Sequence, residues 1–198
     1  SVRRGMFGRL GPNGAGKSTL MRAIATLQEA DAGTITFGGI DVVRRKEEMR
    51  RTLGYLPQEF GLYSRATAEE MLDHFAILKG ITAKGERSDV VHSLLWQTNL
   101  LEARARKLGT FSGGMRQRFG IAIALLGNPR LIIVDEPTAG LAPSERVRFL
   151  NLLSALGEKS VVILSTHIVE DVSELCSHMA IIDRGRIKLE AEPLAAIA

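Results

Sequence analysis

An α/β fold built on a largely parallel sheet is predicted by three features of the sequence. Short apolar runs rich in β-branched residues recur at LIIVD (131–135), VVILS (161–165) and MAIID (179–183). Each is bounded by turn or helix-start residues, as buried strands are. Segments of helical length carrying apolar rows lie between them, and strands spaced in this way pair in parallel through right-handed crossovers. A glycine-rich stretch, GPNGAGKST from Gly11 to Thr19, stands between a short apolar run and a helical row.

The elements follow in order. MFGRL (6–10) reads as a strand, and Leu20, Met21, Ile24 and Leu27 then supply the buried row of a helix. GTITFGG (33–39) alternates between flanking glycines, which predicts a small β arm outside the main sheet. From Thr67 to Leu126 no strand run occurs and the spacing is helical, beginning with a capping box of Thr67 and Glu70 before Met71, Leu72, Phe75 and Leu78. Pro143 sits where the first residue of a helix belongs, and apolar rows follow at Val147, Leu150, Leu153 and at Phe149, Leu152, Leu156. After STH (165–167), Ile168, Val172, Leu175, Cys176 and Met179 repeat at helical spacing.

Composition sets the outer bounds. With 198 residues, 45% hydrophobic and 24% charged, the chain can bury a core of its own and is most simply one domain. A net charge of +4 admits an anionic partner, but the basic residues interleave with acids, as in KEEMRR (46–51), in the manner of solvated helix faces. No nucleic-acid partner is therefore expected. Cys176 is the single cysteine, so no disulfide framework exists and a reducing cytoplasm fits. No apolar run approaches the roughly 20 residues of a membrane span, so a membrane role requires a partner. The chain opens on Ser1, close ahead of the glycine loop, from which we expect an N-terminally truncated domain.

The chemistry of GPNGAGKST is that of a phosphate cradle. Gly11, Gly16, Lys17 and Ser18 fit G-x-x-x-x-G-K-[ST]: glycines let backbone N–H groups curl around phosphates while a helix N-terminus points its positive end inward. Pro12, Asn13, Gly14, Ala15 and Thr19 complete the candidate nucleotide-binding stretch. Lys17 is expected to reach the β- and γ-phosphates and Ser18 to ligate Mg²⁺. A glycine-rich turn with no ligand is the competing explanation. LIIVDE ends a buried strand on Asp135 and Glu136, at the edge where ligands sit in open α/β sheets. Asp135 is assigned to Mg²⁺ and Glu136 to the attacking water, against the alternative that two acids simply end a strand. His167 follows another strand and is expected on the same edge. His74, His92 and His178 are read as surface or core residues. Arg9 stands out, because its place in the first strand should face apolar surroundings.

GPNGAGKST, YLPQ ending at Gln58, FSGGMRQ from Phe111 to Gln117, LIIVDEP and STH together resemble the nucleotide-binding subunit of ATP-binding cassette (ABC) transporters. The resemblance spans nearly the whole chain and keeps the motif order. It implies a P-loop NTPase fold: a RecA-like parallel-sheet core at 1–60 and 127–198 with the β arm near 33–39, and a helical subdomain at 61–126 that carries the signature motif. It implies two such subunits, a homodimer or a heterodimer with a second ABC ATPase, closing head to tail on two ATP molecules. Ser112, Gly113, Gly114 and Gln117 would then face nucleotide bound to Lys17 of the other subunit. Gln58 would touch Mg²⁺ and the attacking water, and the helical insertion, through Phe60 to Tyr63, would meet a transmembrane permease subunit. The implied location is peripheral, at the cytoplasmic face of the cell membrane. The implied function is an ATP-hydrolysing energy-coupling subunit that looks most like that of a bacterial exporter. A soluble ABC-type ATPase of DNA repair or translation, or a nucleotide-binding module with impaired turnover, remain the alternatives.

Two further departures from the family pattern bear on these expectations. The family's aromatic residue that stacks on adenine lies in an upstream strand absent from this sequence, so that either it lies in a missing segment or base binding is weak. Ala142, in TAGLAPSER, stands where the family usually has an aspartate that touches the opposite subunit.

Overall fold

The computed structural model describes residues 5–193. Strand β1 (Gly5–Leu10) leads through the glycine loop into helix α1 (Lys17–Ile24). A two-stranded antiparallel hairpin follows, β2 (Thr36–Phe37) and β3 (Ile40–Asp41), turned by Gly38 and Gly39 with φ of 54° and 82°. Two left-handed residues in succession are what a tight hairpin requires, and glycine supplies them without strain. This is the expected β arm, placed a few residues later than GTITFGG suggests. The arm is held to the body by the Arg130 guanidinium, 5.7 Å over the Phe37 ring.

Helix α2 (Lys46–Thr52) then delivers β4 (Leu53–Leu56). Between β4 and the next strand the described chain is helical: α3 (Ala68–Leu78), α4 (Lys84–Gln97), two 3-10 turns and α5 (Gly113–Ala124). The capping box at the start of α3 forms, with the Thr67 side chain accepting from Glu70 N–H and the Glu70 carboxylate accepting from Thr67 N–H. The second half of the chain alternates: β5 (Leu131–Asp135), α6 (Pro143–Gly157), β6 (Val161–Thr166), α7 (Val169–Leu175), β7 (His178–Asp183) and β8 (Arg186–Ala191).

The main sheet has the order β4-β5-β6-β1-β7-β8, parallel except for β8 against β7. Every residue of β5 and β6 is buried, because both faces of these strands are covered, which is why their sequences are continuously apolar rather than alternating. On one face, Met6, Val162, Leu164 and Val134 pack with Phe149 and Leu153 of α6 and Val172 of α7. On the other, Ile133 and Ile163 pack with Met21 of α1 and Met49 of α2. A third cluster lies within the helical segment, built from Leu72, Leu95, Leu108 and Phe119 among others. Helix α5 joins this cluster to the sheet, since Phe119 faces the helices and Ile121 faces β4 and β5. Gly120 lets the two approach; a Cβ there would meet the Leu56 and Phe60 side chains.

Three readings of the sequence differ from the structure. Leu27 lies beyond the end of α1 and is 62% exposed, and Val147 is 58% exposed although it falls in an apolar row of α6. Helix α7 ends at Leu175: Cys176 is already extended and Met179 belongs to β7, both buried, so the helical spacing continued by coincidence into the next strand. Arg9, on the central strand, is half-buried, and its Nε is buried without a hydrogen-bond partner among the described residues.

Candidate functional site

The strand order brings three loops to one edge. In register, Leu10 of β1 lies beside Thr166 of β6, and Asp135 of β5 lies beside Ser165 of β6. The glycine loop, the Asp135–Glu136 pair and His167 therefore all leave the sheet at its C-terminal edge, where open α/β sheets bind ligands.

The loop before α1 has the shape its glycines permit. Gly16 is the N-cap of α1 with φ of 99°, a left-handed conformation in which a side chain is strained. Gly11 has no room for a Cβ, which would collide with the carbonyl oxygen of Ile182. The loop is tied to the turn after β7 by Gly185 N–H donating to Ala15 O at 2.8 Å. No acidic residue occupies the first turn of α1, so the positive end of the helix is left for an anion.

Lys17 is only 5% exposed although it carries a charge. Its Nζ donates to Gly11 O at 2.6 Å and Pro12 O at 3.1 Å, and stands 3.3 Å from Glu136 Oε1, an ion-pair contact. The other oxygen of Glu136, Oε2, lies 2.7 Å from His167 Nδ1. One buried carboxylate thus joins the lysine of the phosphate loop to the histidine of the neighbouring strand. Glu136 also has φ of 49°, a left-handed conformation rare in residues with a Cβ and frequent at functional sites.

Asp135 is 1% exposed, and its Oδ1 has no hydrogen-bond partner among the described residues; neither has Ser165 Oγ beside it. Its charge is felt nearby: burial first, and the Asp135 carboxylate second, push the Tyr55 phenol above its ordinary value. A buried carboxylate oxygen without a donor is costly, and a hard divalent cation is a chemically suitable partner. No group of three or more His, Cys, Asp or Glu side chains with metal-site geometry exists among the described residues. Mg²⁺ does not need one, because it is usually held by one or two protein ligands, waters and substrate phosphates. Asp135 and the Ser18 hydroxyl fit that mode.

The remaining predicted residues are not all drawn together. Gln58 is exposed in the bend after β4 and makes no side-chain hydrogen bond among the described residues. Ser112 is the N-cap of α5, its Oγ accepting from Met115 N–H at 3.2 Å; it and Gly113 are exposed, and neither is bonded to the phosphate loop of the same chain. Gly114 is buried under the Glu145 carboxylate, which pairs with Arg118 and, at 3.1 Å, with Arg148. Gln117 is half-buried with Oε1 lacking a partner among the described residues. Sequence reasoning missed a second group altogether: Asp171, Thr138 and Arg146, joined beneath the edge. The signals are an acid four residues after His167 and an arginine in the first turn of α6, neither of which identifies its partner.

The family model of the ABC transporter matches residues 3–139. The chain belongs to the ABC transporter family. It is 39% identical over 189 residues to the linearmycin resistance ATP-binding protein LnrL of Bacillus subtilis, covering 94% of this chain and 60% of that protein. It is 37% identical over 197 residues to the Nod factor export ATP-binding protein I of a Rhizobium species, covering 96% of this chain and 63% of that protein. It therefore spans somewhat under two thirds of the length of these relatives. Among solved structures it resembles a dimeric ATP-binding cassette in a post-hydrolysis state bound to ADP and phosphate, with a TM-score of 0.86, 26% identity, and coverage of 98% of this chain and 88% of that one. The fold is accordingly that of an ABC ATPase domain.

Proposed function

We propose that the protein is the ATP-binding and ATP-hydrolysing subunit of a membrane ABC transporter. The observation that carries this reading is the Glu136 carboxylate held between Lys17 and His167 beside a helix N-terminus with no acid in its first turn. In the proposed cycle the loop from Gly11 to Thr19 wraps the ATP phosphates with backbone N–H groups. Lys17 exchanges its bonds to the Gly11 and Pro12 carbonyls for the β- and γ-phosphates. Asp135, Ser18 and Gln58 would hold Mg²⁺, which would supply charge neutralisation on the phosphates. Glu136 orients and polarises the water for in-line attack, and His167 positions Glu136 and meets the γ-phosphate. Catalysis on this plan is placement plus electrostatics.

The exposed Ser112–Gly113 start of α5 has no partner in its own chain's phosphate loop, which supports a second subunit that supplies one. The dimeric neighbour supports the same reading. A transmembrane permease subunit would dock near Phe60 to Tyr63, Tyr63 being 74% exposed, and would keep the protein at the cytoplasmic face of the membrane. No helix of the described residues is long and apolar enough to cross a membrane. Export is the direction that the relatives' names, resistance and Nod factor export, favour. The test is turnover against binding. Glu136→Gln should retain ATP affinity by calorimetry and lose phosphate release; a variant that hydrolyses ATP at the wild-type rate removes Glu136 from the mechanism.

A further inference from the structure

Beneath the catalytic edge lies a carboxylate that the mechanism above does not use. Asp171 in α7 is 0% exposed, and both its oxygens are occupied. Oδ1 accepts from Arg146 Nε at 2.8 Å, with Arg146 Nη2 at 2.7 Å from the same atom, and Oδ2 accepts from the Thr138 hydroxyl. Thr138 is itself buried at 3% exposure. The contact joins three segments: the loop leaving Glu136, the first turn of α6, and the helix that begins just after His167. Its charge is felt by its neighbours. The Arg146 guanidinium is raised chiefly by the bond to Asp171, and the Cys176 thiol is pushed up to about 12, by burial first and by Asp171 second.

The location matters because the backbone at Glu136 is strained. A left-handed residue with a Cβ persists only where its surroundings over-determine it. Around Glu136 the backbone constraints are Glu136 N–H to Ser165 O at 2.8 Å and a long Ala139 N–H to Glu136 O contact at 3.4 Å. The Thr138–Asp171 bond adds a side-chain anchor two residues on, and that anchor sits on the same helix that follows His167.

We propose that Asp171 is a positioning residue for hydrolysis: through Thr138 it holds the strained backbone of Glu136, and through α7 it holds His167, so that the Glu136–His167 contact is kept in register. Arg146 is the counter-charge that lets Asp171 remain buried. The role rests on the ATPase function proposed above.

The test uses the purified protein and removes one hydroxyl. Thr138→Val keeps the buried volume and deletes the bond to Asp171. We expect kcat to fall at least about ten-fold, as misplacement of a catalytic group does, with KM for ATP within about two-fold. Thr138→Ser restores the hydroxyl and should restore kcat, and Asp171→Asn should behave like Thr138→Val. Adding Thr138→Val to Glu136→Gln should cost nothing further, because both act through one carboxylate. Hydrogen exchange of backbone 134–142 should quicken in Thr138→Val while that of 17–24 does not. Wild-type turnover reports on the ATPase reading, and the exchange comparison reports on the anchor independently of it. Wild-type kcat or unchanged exchange in Thr138→Val, a loss in KM instead of kcat, or a Ser variant as impaired as Val, each overturns the proposal.

Discussion

Lys17 is the buried cation proposed to meet the phosphates. Its Nζ already sits against the loop carbonyls and Glu136, at 5% exposure, so its desolvation is met by partners before any phosphate arrives. Lys17→Ala should weaken ATP binding by roughly 2–3 kcal/mol, the worth of hydrogen bonding to a charged group; calorimetry that finds unchanged affinity would remove the phosphate-loop assignment. Cys176 offers a second test at this scale. Its thiol is raised from 9.0 to about 12, chiefly by burial, so the folded state keeps a proton that the unfolded state loses. The stability this group contributes is full below about pH 9 and is lost as the pH rises towards about 12. Melting temperatures over that range should fall more steeply for the wild type than for Cys176→Ala, and equal slopes would contradict the assignment.

Among the elements, α3 and α6 make a contrast. Helix α3 begins with a complete capping box, and Thr67→Ala should destabilise the protein by about 1 kcal/mol in urea unfolding. Helix α6 has Ala142 as its N-cap, with no side-chain cap bond, and Pro143 at its first position. An aspartate there would accept from a free N–H of the first turn and complement the positive end of the helix dipole, so Ala142→Asp should stabilise by about 1 kcal/mol. The same carboxylate would face the opposite subunit if the head-to-tail dimer forms. We therefore expect Ala142→Asp to raise ATPase rate measured against protein concentration while single-subunit ATP affinity stays within about two-fold. A gain in stability with no gain in rate would show that the loop does not limit turnover.

For the molecule as a whole, the candidate site residues fall into two groups with no hydrogen bond between them within the chain. The phosphate loop and Glu136 lie at the sheet edge, whereas Ser112 caps a helix that packs on β4 and the helical cluster. In the proposed reading a second subunit closes the site, and ATP would supply the differential affinity that favours closure. Glu136→Gln, which should bind ATP without consuming it, is expected to elute as a dimer in ATP and Mg²⁺ and as a monomer without nucleotide. A monomer with ATP demonstrably bound would rule out the closed dimer.

The sheet core and the shape of the glycine loop were legible in the sequence because their causes are local. Continuous apolar runs such as VVILS mean a strand covered on both faces, and the spacing of Gly11, Gly16, Lys17 and Ser18 is itself the chemistry of a phosphate cradle. The capping box of Thr67 and Glu70 belongs to the same class, since both partners lie within one turn. Periodicity failed where an element ended, since Leu27 and Met179 keep helical spacing past the last helical residue, and at Val147, which keeps the spacing of the buried Leu150 and Leu153 yet is 58% exposed. What only the tertiary structure decided is which distant groups meet. Glu136 reaches His167 across 31 residues of chain, and Asp171 reaches Thr138 across 33 and Arg146 across 25. A carboxylate at any of these positions reads the same in sequence whether it is solvated or buried. Its partner is chosen by strand order and by the packing of α6 against α7, and it is that packing, with its low dielectric, that brings separate groups into one cluster.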